Sequence, residues 1–75
     1  MSYQVNIVEL TQAGRNIVET REFDNETEAR DYAINTYDDY CADEPENTHH
    51  ILVSELAVGA ILEEYYAHGQ EVEAL

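Results

Sequence analysis

The sequence predicts a small α+β protein of two layers, a three-stranded antiparallel sheet with two helices packed on one face, in the order ββαβα. Three observations predict it. Two runs near the N-terminus alternate apolar and polar side chains and are separated by a glycine-containing turn. From Asn25 onward, apolar residues return at helical spacing. A third apolar run, His49 to Ser54, precedes a segment that again carries helical spacing. The alternative is ββαββ, a four-stranded sheet with one helix.

The first strand is Tyr3 to Leu10, where Tyr3, Val5 and Ile7 alternate with Gln4 and Asn6. Thr11 to Gly14 supplies a turn, and Gly14 can take a positive φ. Arg15 to Phe23 reads as the second strand, with Ile17, Val18, Thr20 and Phe23, so the two strands form an antiparallel hairpin. In Asn25-Glu26-Thr27-Glu28 a capping residue stands three positions before a glutamate, which marks a helix start. Ala29, Tyr32, Ala33, Tyr37 and Tyr40 then form one apolar stripe, with Glu28, Asp31, Asn35, Asp38 and Asp39 opposite it. Ala42 to Asn47, containing Pro45, ends the helix.

His49 to Ser54 reads as a third, central strand, because Ile51, Leu52 and Val53 are consecutive. Residues 55–68 fit two readings. Val58, Ile61, Leu62 and Tyr65 lie at i, i+3, i+4 and i+7, which favours a helix capped by Ser54 and closed by Gly69. The rival is a hairpin turning at Gly59 into a strand Ala60 to Ala67. Gln70 to Leu75 either frays or extends the helix with Val72 on its apolar face.

Seventy-five residues, 1–75, make one domain. A chain this short supplies about 3–5 kcal/mol of net stability from its core. Such a scaffold seldom forms a deep cleft, and no spaced nucleophile and base occur, so an enzyme is not expected. There are 17 acidic residues against three arginines, Arg15, Arg21 and Arg30, and no lysine, giving a net charge of −14. Most carboxylates therefore lack an intramolecular partner, and their repulsion opposes compaction. Direct binding to nucleic acid or to an anionic membrane is disfavoured for the same reason. The partner expected is a basic protein, in particular a nucleic-acid-binding one. Cys41 is the single cysteine, which excludes an internal disulfide and fits a reducing compartment. No signal-peptide pattern and no long apolar run occurs, so a cytoplasmic location is expected.

The candidate partner-binding residues are Glu28, Asp31, Asp38 and Asp39 on the helix, continued by Asp43, Glu44 and Glu46 beyond it. Residues three and four apart on a helix stack about 5–6 Å from one another. The row is a linear array of negative charge, as a DNA strand is, with a phosphate every ~3.4 Å of axis. The plainer reading is a solvated helix face. Against it, like charges at this spacing destabilise a helix. The expectation is an inhibitor-like protein that occludes a basic surface by charge mimicry of nucleic acid, in the manner of small proteins made by phages and mobile elements. The alternatives are a homodimeric assembly protein, or a halophile's housekeeping domain whose charge serves solubility.

Six tyrosines are present. Tyr32, Tyr37 and Tyr40 are expected to pack the helix onto the sheet. Of the adjacent Tyr65 and Tyr66, one must point away from the core and could anchor a partner. Cys41, His49, His50 and His68 match no zinc spacing, and adjacent histidines on a strand point to opposite faces. The acidic run from Asp38 to Glu44 has no glycine where a calcium loop requires one. No cofactor or metal is expected, and Cys41 is expected to be a small buried apolar residue.

Overall fold

The computed structural model describes residues 2–69. Its elements are β1 (Tyr3–Thr11), β2 (Gly14–Phe23), α1 (Glu26–Asp43), β3 (Thr48–Glu55) and β4 (Ala60–Ala67). The strands form one antiparallel sheet in the order β2-β1-β3-β4. The fold is α+β, but the four-stranded, one-helix alternative replaces the three-stranded, two-helix expectation. The expectation for Gln70 to Leu75 lies outside the described residues.

The correction at β4 has a local cause. Leu56 to Gly59 form a tight turn in which the Gly59 N–H donates to the Glu55 carbonyl at 2.9 Å, and Gly59 takes a φ of 70°. The Leu56 N–H donates to the Ser2 carbonyl at 3.0 Å, which ties the turn to the neighbouring strand. β4 then contains a bulge: Val53 faces Glu63 and Ser54 faces Ile61, so Leu62 is the extra residue. A bulge lets the alternation slip by one position. That slip places Leu62 and Tyr65 on the same side of a strand, at a spacing that also suits a helix. β2 carries a similar bulge at Val18, since Ile7 faces Glu19 and Val8 faces Ile17.

α1 covers one face of the sheet. Asn25 is its N-cap, with its side-chain oxygen accepting from the Glu28 N–H at 3.1 Å. Glu44, with a φ of 52°, terminates the helix by donating its N–H to the Tyr40 carbonyl. The core consists of Val5 and Ile7 of β1, Ile51 and Val53 of β3, and Ala29 and Ala33 of α1, all at most 1 % exposed. The two alanines let the helix axis approach the sheet closely. Tyr3, Phe23, Tyr32, Tyr37, Tyr40, Leu62 and Tyr65 surround this core, as the helical stripe requires for its three tyrosines. The smallest dimension of the molecule is 16 Å, consistent with one sheet and one helix.

Gly69 does not close a helix. It follows β4 and packs on the loop leading from α1: a Cβ there would lie 2.5 Å from the Asn47 carbonyl carbon. Its N–H donates to Thr48 Oγ1 at 2.9 Å, which fixes the end of β4 against the start of β3.

Candidate functional site

All seven candidate carboxylate residues are exposed. At 100° per residue, Ala29 and Ala33 set the buried side of α1. Asp31 and Asp38 then point directly away from the sheet, with Glu28 and Asp39 beside them. Asp43 is in the last turn, Glu44 is the C-cap and Glu46 lies in the following loop. Glu28 to Asp43 spans about 22 Å at ~1.5 Å per residue. The last turn of α1 has no basic residue, so the carboxylates there add to the negative end of the helix dipole.

The arginines lie away from this ridge. Arg30, the single cation of α1, is held at the flank of the helix by Glu26 at 2.6 Å and by Glu63 of β4. Arg21 stacks over the Tyr32 ring at 4.9 Å and lies 4.0 Å from Glu19. Arg15 lines the opposite face of the sheet. Besides Glu26 and Glu63, Glu9 and Glu19 are helix-side carboxylates that were not among the candidates. Glu9 accepts from Asn47 Nδ2 at 2.9 Å, and Glu19 accepts from the Tyr32 hydroxyl at 2.8 Å. Glu9 shares the odd-numbered alternation of Val5 and Ile7, a signal legible in the sequence. Glu19 shares it only through the pairing with Ile7.

Tyr32 and Tyr40 both have their hydroxyl pKa raised. For Tyr32 the first cause is burial, then the hydrogen bond and charge of Glu19. For Tyr40 it is burial, then the charges of Glu19, Glu9 and Asp43. Tyr37 is raised chiefly by its hydrogen bond with Cys41. Cys41 itself is exposed, which corrects the expectation of a buried thiol. It follows Tyr40 by one residue, and the 100° turn carries it out of the buried stripe.

The histidines divide between the two faces. His49 stacks on Tyr40 of the helix at 4.0 Å, and its Nδ1 is buried with no hydrogen-bond partner among the described residues. His50 faces the other way, stacks on Tyr66 at 4.1 Å and meets Glu64 at 2.9 Å. Tyr65 is turned inward against Tyr37, while Tyr66 is 46 % exposed. Among the described residues, no three His, Cys, Asp or Glu side chains are arranged to hold a metal ion.

Among the described residues, no layer covers the sheet face opposite α1. A shallow groove of about 560 Å³ lies on it, lined by Asn6, Val8, Arg15, Ile17, Thr20 and Leu52 among others. The strand pairings put only two carboxylates on this face, Glu22 beside Gln4 and Glu64 beside Leu52. Charge is therefore segregated by layer: the helix side is strongly negative and the open face is mixed apolar and polar.

No helix among the described residues is long and apolar enough to cross a membrane. Comparisons with protein-family models, with curated proteins and with solved structures gave no match.

Proposed function

We propose that the protein is a binding module that docks the outer face of α1 on a basic surface of a partner protein. Glu28, Asp31, Asp38 and Asp39 are the centre of the contact, and Asp43, Glu44 and Glu46 extend it. The observation that supports this reading is the segregation of charge. Seven exposed carboxylate residues follow one helix and its exit loop, while Arg15 and Arg21 lie on β2 and Arg30, at the flank of the helix, is paired with Glu26 and Glu63. A surface that grips phosphates with Arg and Lys can grip such a ridge, so the contact occludes a nucleic-acid-binding site. Long-range attraction accelerates association and makes it sensitive to salt.

The test is capture from a nuclease-treated bacterial lysate by the tagged protein and by its Asp31→Lys/Asp38→Lys variant. The proposal expects a small set of nucleic-acid-handling proteins that is released by salt and is depleted tenfold or more with the variant, in keeping with steering effects of about 10–1,000-fold. Both substitutions are on the solvent side of the helix, so circular dichroism should be unchanged. Equal capture by both proteins removes the ridge from the site. Capture of every basic protein alike reduces the charge to a generic property.

A further inference from the structure

We infer that β2 is a self-association edge, and that two copies of the chain pair β2 against β2 to form a continuous eight-stranded sheet. β2 is the strand with least cover. It stands at the end of the sheet, and only Glu19 and Phe23 of its ten residues are even half-buried. Ile17 is 71 % exposed and Val18 49 %. A long edge strand with exposed apolar residues is a template for pairing with another chain.

The occupant follows from charge. A molecule of net charge −14 repels a second copy over most of its surface. β2 is the exception, since it holds Arg15 and Arg21, two of the three cations, against Glu19 and Glu22. Its own charges sum to zero, and it is the strip on which two copies can meet with the least repulsion.

The register follows from the bulge. Glu19, Arg21 and Phe23 lie on the helix side, where each contacts Tyr32. Arg15, Ile17 and Thr20 line the groove on the open face, and Glu22 pairs beside Gln4 of the same groove. In a twofold antiparallel pairing, opposed residues must lie on the same face of the sheet. Because Val18 is the extra residue, this condition is met when Arg15 opposes Glu22 of the second copy and Ile17 opposes its Thr20. Shifting that register by one residue opposes a helix-side residue to an open-face one along most of the strand. The face-matched register also sets opposite charges against each other twice, once at each end of the contact. Both helices then lie on the same side of the joined sheet. The inference is independent of what α1 binds, since it is tested on the protein alone.

Sedimentation velocity over a wide concentration range, in ~0.15 M salt, tests it on the full chain. The expected result is a reversible dimer. Glu22→Arg makes the molecule less negative, yet it should weaken the dimer about tenfold or more, because two attractive pairs become repulsive. Arg15→Glu/Glu22→Arg restores opposite charges and should recover the original dissociation constant. Amide exchange provides the second readout, with β2 amides gaining protection as concentration rises. A strict monomer at millimolar concentration overturns the inference. So does a dimer insensitive to these substitutions, or one whose concentration-dependent protection falls on β4 in place of β2.

Discussion

Tyr32 and Tyr40 bring phenols to the rim of the core beside carboxylates, and this has a consequence for pH. Both hydroxyls hold their protons more tightly in the folded protein than in the unfolded chain, where the pKa is near 10. The folded state gains from them fully below that value and loses the gain as pH rises through the raised values. The urea midpoint should therefore fall as the pH rises above about 10. In the Tyr32→Phe/Tyr40→Phe protein the fall should be shallower; an identical slope would assign the alkaline loss to other groups. At this scale the sequence showed the inward role of these tyrosines, because their spacing is helical. It did not show the buried Nδ1 of His49 or the exposure of Cys41, since each depends on one turn of helix relative to the sheet.

Elements were legible in proportion to the purity of their period. β1 alternates cleanly and α1 carries both a cap and an unbroken stripe, so each was read correctly in type and place. β4 was misread because Leu62 interrupts its alternation, and Val58, Ile61, Leu62 and Tyr65 then coincide with helical spacing. The acidic ridge was legible for the same reason that α1 was. The seating of α1 gives a test at this level. Ala29 and Ala33 are fully buried between helix and sheet, so Ala33→Leu must lift the helix or distort the strands beneath it. Overpacking of this kind costs about 1–3 kcal/mol, and the loss should show in a urea melt with unchanged far-ultraviolet dichroism in water.

For the whole molecule, a core of six residues is set against a net charge of −14. Repulsion within the helix layer is a standing cost that salt can screen. The thermal midpoint should rise as salt is added toward about 1 M, where the Debye length falls to ~3 Å. A cooperative melt already present at low salt would mark the charge as a tolerated load. Absence of folding until salt is molar would fit the halophile alternative, and would shift the meaning of the ridge from recognition to solvation.

The strand order also has a consequence in time. β1 and β2 meet across two residues, and β3 and β4 across four, but the central seam joins Tyr3 to Glu55 and Leu10 to Thr48. Hairpins close in about 1–10 μs, whereas the seam must await residues far along the chain. On a ribosome adding about 5–20 residues per second, the first hairpin emerges seconds before its mate. Throughout that interval β1, the strand that ends at the centre of the finished sheet, has an open flank, and the nascent chain is most vulnerable to mispairing there.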